Sequence, residues 1–271
     1  MRRLKLLMAA LFLAASSLIA QEIPAGTVLP VMLRTTLDAR KAKVGQKIEA
    51  RVMQDVPLSS QTRIRAGAKL VGHVVEVTRP SPTSGSRIAI SFDRLMIGGA
   101  AIPVTTSLRS LASMMEVFEA QLPTNAIDDY GTTTADWVTM QIGGDAVYRG
   151  NGTVMTDGQI VGKSTVAGDV SAKLIASRDG ACRGAAAEND RVQALWLFSP
   201  SACGPYGFAD LKIVHAGRQD PVGQIILASD KNVHVPAGSG LLLRVTAVSG
   251  HPSTGASSGV SSARPALRAP S

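Results

Sequence analysis

The chain has 271 residues, of which 45% are hydrophobic and 18% charged, and its formal net charge is +8. This length and composition are typical of a globular protein and argue against intrinsic disorder or a fibrous structure. Because only 4% of the residues are aromatic, the core must consist mainly of Val, Ile, Leu and Ala. The two cysteines exclude a cysteine-rich metal module.

Residues 1–20 have the pattern of a secretion signal. Arg2, Arg3 and Lys5 precede an apolar run that ends at the small residue Ala20. The run is shorter than the roughly 20 residues that span a bilayer, although an uncleaved signal would leave the chain anchored. We therefore expect a periplasmic or secreted protein with no transmembrane helix after signal cleavage.

Export gives the two cysteines a predicted role. In an oxidising compartment Cys182 and Cys203 are expected to form a disulfide. Their spacing matches neither a zinc site nor a redox Cys-x-x-Cys motif. Closing a loop of this length contributes on the order of 3 kcal/mol to stability.

One short pattern occurs three times. A β-branched residue is followed by x-Ala-Gly, two further residues and Leu, with the glycine at Gly26, Gly67 and Gly238. Glycine permits the positive φ of a tight turn, and each turn precedes an alternating apolar stretch. We predict that these are strand-opening turns of one sheet system.

Apolar residues alternate with polar ones on both sides of these turns. Such period-2 runs, separated by Gly, Pro and Ser clusters, predict an antiparallel β-barrel or sandwich, called here the frame, over residues 21–107 and 225–248. The predicted inward positions are Leu29, Val31, Leu33, Ile48, Ala50, Val52, Ile88, Ile90, Phe92, Leu241, Leu243 and Val245.

The pattern changes near residue 108. The spacing of Leu108, Leu111, Met115, Phe118 and Leu122 predicts an amphipathic helix, with Ser107 or Ser110 as the N-cap and Pro123 as the stop. Residues 108–224 are acidic and aromatic-rich, and they hold both cysteines, so they are predicted to be an inserted α+β subdomain. Residues 249–271 are rich in Ser, Gly, Ala and Pro and predict a disordered tail.

The frame resembles the C-terminal β-barrel domain of the TrbI-like family, the outer-membrane core subunits of conjugation and type IV secretion machines. The resemblance covers about residues 23–107 and 225–248. It implies a β-barrel fold, whereas the direct step from signal to barrel and the polar insert depart from the family. The matching segments are Ile-Pro-Ala-Gly-Thr at 23–27, Ile-Arg-Ala-Gly-Ala-Lys-Leu-Val-Gly at 64–72, Ser-Arg-Ile at 86–88, Phe-Asp-Arg-Leu at 92–95, Gly-Gly-Ala-Ala-Ile-Pro-Val at 98–104, Val-Pro-Ala-Gly at 235–238 and Leu-Leu-Leu-Arg-Val at 241–245.

Several patterns resemble phosphate-binding, metal-binding or catalytic motifs, but none of them is complete. Residues 158–164 lack the first glycine of a phosphate-binding loop, so a Gly-rich hairpin is the better interpretation. His73, His215, His234 and His251 are scattered, and no metal or cofactor site is predicted. Aspartates between Asp128 and Asp145 could serve glycan hydrolysis, calcium binding or the capping of turns, and the last role is the commonest.

The aromatic residues of the insert leave a binding function open. Trp137, Tyr148 and Tyr206 could contact a glycan or peptidoglycan, because exposed rings stack on the apolar faces of sugars. Trp196 is predicted to fill the core of the insert instead.

The basic frame would attract anionic lipid head groups or envelope polysaccharide, although most of its cations fit the solvated face of a sheet. Specific nucleic-acid recognition is not predicted, because the frame lacks aromatic residues that stack on bases. We expect a non-enzymatic envelope protein, structural or interacting, whose partner is an envelope protein or polysaccharide, and a homo-oligomer is left open. The alternatives are a glycan- or peptidoglycan-binding module and, remotely, a secreted glycan hydrolase.

Overall fold

The computed structural model describes residues 23–122, 138–148, 152–156, 159–165, 169–176, 191–214 and 223–246. In these ranges the chain is mainly β, with 20 strands and one short helix. The elements are β1 (Val28–Leu33), β2 (Leu37–Asp38), β3 (Lys47–Val52), β4 (Val56–Pro57), β5 (Arg63–Ile64), β6 (Lys69–Thr78), β7 (Ser86–Ile97), β8 (Ala100–Pro103), β9 (Thr106–Ala112), α1 (Met114–Glu119), β10 (Val138–Met140), β11 (Ala146–Tyr148), β12 (Thr153–Thr156), β13 (Gln159–Ser164), β14 (Val170–Lys173), β15 (Val192–Ala194), β16 (Gly204–Tyr206), β17 (Leu211–Val214), β18 (Ile225–Ser229), β19 (His234–Val235) and β20 (Gly240–Val245).

The larger sheet has ten strands and curls into a nearly closed barrel. Its order is β16-β9-β20-β1-β3-β6-β7-β18-β17, and β8 pairs with β7. All pairs are antiparallel except β16 with β9, so the sheet is mixed. The end strands β16 and β17 contact each other. The predicted mainly β, barrel-like fold is therefore confirmed.

The smaller sheet has six strands in chain order from β10 to β15. It packs on the outside of the barrel, where its inner face and α1 share a second apolar core with the outer faces of β1, β9 and β20. Val28 and Leu242 point into this second core, whereas Leu29 and Leu243 point into the barrel. The continuous apolar run at residues 241–243 follows from this burial on both faces.

The predicted inward positions of the frame are confirmed. All twelve are buried, and they belong to the core inside the barrel. Alternation places them on one face of each strand, while the intervening polar residues of β3 and β7 remain in contact with solvent.

The helix predicted to begin near residue 108 begins later. Residues 106–112 form β9, and α1 starts at Met114 with Ser113 as its N-cap, whose Oγ accepts from Glu116 N at 3.2 Å. Leu108 pairs with Leu243 and Ser110 with Leu242, so Arg109 is an extra residue in a β-bulge. The bulge lets Leu108 and Leu111 both face the barrel core, and their three-residue spacing therefore imitates a helix.

The predicted boundaries of the insert also differ from the observed ones. Residue 108 falls inside β9, and β16 and β17 belong to the barrel sheet. Among the described residues, the strands of the second sheet run from Val138–Met140 to Val192–Ala194.

Candidate interaction surfaces

The three predicted strand-opening turns share one geometry. Gly26, Gly67 and Gly238 have φ of 81°, 84° and 93°. In each turn the residue after the glycine donates its N–H to the carbonyl three residues earlier, at 3.1 to 3.2 Å. The glycine N–H donates to a neighbouring strand, at Val245, Val52 and Leu33 respectively. The turn therefore closes on itself and also fastens to the next strand of the sheet.

A fourth turn of the same construction precedes β3. Gly45 has φ of 80°, Gln46 N donates to Lys43 O at 3.0 Å, and Gly45 N donates to Val74 O at 2.8 Å. The sequence pattern missed it because three positions differ: Ala42 replaces the β-branched residue, Val44 the alanine and Ile48 the leucine. A glycine two residues before an alternating strand was the available signal.

The antiparallel pairing places two of these turns at each end of the barrel. β3 and β20 both run antiparallel to β1, so the turns at 43–46 and 236–239 lie at one end. α1 lies at this end too, because it follows β9, and Met114 packs against the turn at Gly238. We call this end of the barrel the helix end.

The segment before β3 is a cationic turn, defined here as residues 40–46. Ala39 and Ala42 are buried in the barrel core, so the chain is anchored at this point. Arg40, Lys41 and Lys43 are all exposed. Val44 is 69% exposed, more than any other large hydrophobic residue in the described ranges. The turn thus presents three cations and one apolar tip from a fixed base.

The α1 face is an exposed apolar surface at the same end. Val117 and Ala120 pack inward, while the opposite side of the helix is open to solvent. Its members, between 46% and 57% exposed, are Met114, Met115, Phe118 and Leu122. Single exposed apolar residues are ordinary, but four within nine residues form a patch of the kind found at binding sites.

A second exposed apolar surface, the sheet row, crosses the outer face of the six-stranded sheet. Met140 pairs with Ala146, and Met155 pairs with Ile160. The buried residues Val147 and Val154 pair on the inner face, so the adjacent residues Ala146 and Met155 lie opposite each other. Met140, Met155 and Ile160 are therefore aligned across four adjacent strands. Met140, Met155 and Ile160 are 43% to 67% exposed. The chain therefore carries two distinct apolar surfaces on different elements.

Three carboxylates on the outside of the barrel, Glu49, Asp55 and Asp93, are each held by two basic side chains. The pKa of Glu49 is lowered to about 2, because Lys47 and Lys69 donate hydrogen bonds to it. A backbone hydrogen bond from Ala66 and the neighbouring arginines lower the pKa of Asp55. The groups are Lys47–Glu49–Lys69, Arg63–Asp55–Arg65 and His73–Asp93–Arg94, with distances from 2.8 to 3.5 Å. The arrangement explains how a strongly basic sheet face is stabilised.

The predicted ligand contacts are not brought together by the described residues. Trp137 lies outside them, as does the side chain of Tyr148, whose backbone belongs to β11. Tyr206 is half-buried on β16, and its hydroxyl accepts from Cys203 N at 3.1 Å. Trp196 packs against the second core, in line with its predicted role. Cys203 is buried, and Cys182 lies outside the described ranges, so the disulfide stays a prediction.

The described residues also offer few candidate catalytic or metal-binding groups. Asp128, Asp129 and Asp136 lie outside the described residues, and Asp145 is buried in the connection between β10 and β11. Residues 159–164 form β13, the second strand of an antiparallel hairpin with β12. Within the described part of the chain, no group of three or more His, Cys, Asp or Glu is placed to hold a metal ion. None of its helices has the length and apolar character to cross a membrane.

Comparison with known proteins adds no family to this picture. No protein-family model matches the chain, and no curated protein matches its sequence. The resemblance to the TrbI-like family therefore rests on the short segments described above.

Proposed function

We propose that the protein is an exported, non-enzymatic component of the cell envelope that works as a structural or interaction module on a TrbI-like β-barrel. The observation that carries the proposal is the presence of two exposed apolar surfaces, the α1 face and the sheet row, on one firmly joined body. The N-terminal secretion pattern supports export.

Buried side chains join the two layers of this body. Gln54 follows β3, and its Nε2 donates to Val170 O at 2.8 Å, while its Oε1 accepts from Trp196 N at 2.7 Å. Gln193 Oε1 accepts from Val28 N at 3.1 Å. Because these contacts are buried, the second sheet is held in a fixed position on the barrel, as an assembly subunit requires.

The partner that fits the two surfaces best is a second copy of the chain. Two different apolar surfaces on one chain suit head-to-tail contact, in which the α1 face of one copy meets the sheet row of the next. Such contacts repeat, so they produce rings or filaments. The TrbI-like resemblance supports this proposal, since those barrels are subunits of larger assemblies. β1 is not available for such a contact, because it is buried on both faces.

The proposal is tested by the solution mass of the purified protein, measured by light scattering over a range of concentrations. We expect a mass of several subunits. Met115→Ser/Phe118→Ser removes the α1 face, and Met155→Ser/Ile160→Ser removes the sheet row, so each double variant alone should be monomeric. Val192→Ser, an exposed position outside both surfaces, is the control.

An equal mixture of the two double variants distinguishes head-to-tail contact from other assemblies. One intact α1 face and one intact sheet row remain in the mixture, so dimers of one copy of each variant should form. A parent protein that is monomeric at every concentration would contradict self-association. Retention on purified peptidoglycan that is lost in Trp137→Ala would instead favour the glycan-binding alternative.

A further inference from the structure

We propose that the cationic turn, residues 40–46, is a contact site for the surface of an anionic lipid bilayer. Val44 would enter the boundary between head groups and acyl chains, and Arg40, Lys41 and Lys43 would bind lipid phosphates around it. The inference rests on the proposal that the protein works at the cell envelope, and it adds the chemical nature of one partner.

The first argument is that Val44 is not needed by the turn. Four turns of the barrel have the same hydrogen bonds and the same positive φ at glycine, so glycine is the residue that the geometry requires. The position before it is alanine in the other three turns, at Ala25, Ala66 and Ala237. A β-branched apolar side chain that is 69% exposed therefore contributes to neither the turn nor the core.

The second argument is the rigidity of the turn. Asp38 O accepts from Lys41 N at 3.0 Å and from Ala42 N at 2.7 Å. Gln46 closes the other side, since its Oε1 accepts from Lys43 N at 3.2 Å. Val74 N donates to Gln46 O at 2.9 Å, which fastens the turn to β6. A surface held in this way loses little conformational entropy when it binds.

The third argument is the local balance of charge. The nearest carboxylate along the chain, Asp38, is largely engaged within the protein. Its Oδ1 accepts from Arg40 N and from Asn232 Nδ2, both at 3.0 Å, and only 15% of its side chain is exposed. Asp38 keeps its negative charge, and Glu76 on the neighbouring strand is exposed, so these two carboxylates offset at most two of the three cations. A positive surplus remains beside Val44.

An anionic bilayer suits this arrangement better than a soluble polyanion does. Lysine and arginine near an anionic leaflet gain electrostatic energy, and an apolar side chain gains by leaving water for the interface. A soluble polysaccharide would use the cations but leave Val44 in water. Binding of single-stranded nucleic acid without sequence preference combines a basic groove with aromatic stacking, and residues 34–91 contain no Phe, Tyr or Trp. Duplex nucleic acid would use the cations but, like a polysaccharide, would leave Val44 in water.

The test is sedimentation of the protein with lipid vesicles. Parent and variants are expressed with the native N-terminal segment and purified from the compartment where they accumulate, so that their ends are identical. Vesicles of phosphatidylcholine with phosphatidylglycerol are compared with vesicles of phosphatidylcholine alone, at low and at physiological salt. We expect binding to the anionic vesicles only, and weaker binding as salt increases.

The variants separate the contributions of charge and apolar contact. Lys41→Gln/Lys43→Gln should weaken binding about 25-fold, because each cation near an anionic surface contributes about fivefold. Val44→Ala, which restores the residue of the other three turns, should weaken it about fivefold. The matched controls Lys163→Gln/Lys173→Gln and Val192→Ser change exposed residues of the second sheet and should leave binding unchanged.

Three results of the vesicle experiment would overturn the inference. They are the absence of binding to anionic vesicles, equal binding by the turn variants and the controls, and loss of binding only when Phe118 is changed. Binding of a soluble anionic polysaccharide that needs the lysines but not Val44 would also overturn it. If the protein self-associates but does not bind anionic vesicles, the proposed function is retained and the bilayer contact is rejected. If the protein binds anionic vesicles but is a monomer, self-association is contradicted and the bilayer contact is retained.

Discussion

Arg109 shows how a single buried cation can organise a β structure. Its Nε donates to Ala202 O at 2.9 Å and its Nη2 to Ile175 O at 2.7 Å, so the segments that follow β15 and β14 are fastened to β9. Burial lowers the pKa of Arg109 to about 10, and the like charge of Arg244 adds to this effect. The guanidinium still carries its proton at neutral pH, and its donors replace the water that it has lost.

Replacing Arg109 by methionine should be strongly destabilising. Methionine preserves much of the side-chain volume but leaves the carbonyls of Ala202 and Ile175 buried without this donor. We expect the free energy of unfolding in urea to fall by about 3 kcal/mol. Arg87→Met, at an exposed position of β7, should change it by less than about 0.5 kcal/mol. Equal effects of the two variants would show that the buried hydrogen bonds contribute nothing.

The β6–β7 hairpin depends on a close approach between its strands. The register shifts between Val71 and Gly72 and again between Val74 and Glu76, so the long hairpin bends across the barrel. At Gly72 an added Cβ would overlap the carbonyl oxygen of Ser91 on the partner strand. Here glycine is required by space, whereas at Gly67 it is required by a positive φ with open space around it.

Two alanine substitutions separate these requirements. Gly67→Ala meets only the strain of a left-handed conformation and should lower the free energy of unfolding by about 1 kcal/mol. Gly72→Ala must push apart two paired strands, and we expect a loss of about 3 kcal/mol. Denaturant unfolding measures both values. A Gly72→Ala protein as stable as Gly67→Ala would mean that β6 and β7 separate at that point without cost.

The whole molecule is two β layers connected by a small number of buried polar side chains. Gln54 is the most extensively bonded of these, since it serves both the N–H and the carbonyl of Val170 as well as Trp196 N. Trp196 itself has φ of 50°, a strained value for a residue other than glycine. The contact with Gln54 helps to keep this backbone in place.

Gln54→Leu should weaken the connection between the layers. The substitution removes the acceptor that Gln54 offers to Val170 N and Trp196 N, and it removes one of the two donors to Val170 O, which also accepts from Leu195 N. We therefore expect the second sheet to open more readily than the barrel. Hydrogen exchange measures this directly: the amides of Val170 and Trp196 should lose protection, while those of β3 and β6 keep theirs. Uniform loss of protection in both layers would show instead that they unfold only together.

The sequence by itself determined the local features of this protein. Period-2 alternation identified the core positions of β1, β3, β7 and β20, because successive side chains of a strand point to opposite faces. The Ala-Gly pattern identified three turns, because glycine is the residue that readily adopts positive φ. The excess of basic residues over residues 21–107 was equally visible.

Only the tertiary structure decided the features that depend on distant partners. The fourth turn at Gly45 became recognisable through its hydrogen bonds to β6, since Ala42, Val44 and Ile48 depart from the sequence pattern. β9 became a strand rather than a helix because pairing with β20 and a bulge at Arg109 place both of its leucines in the barrel. The apolar outer faces of β1 and β20 are buried because a second sheet covers them. Each of these outcomes depends on non-local contacts, whose free energy outweighs local propensity and leaves no periodic signal in the chain.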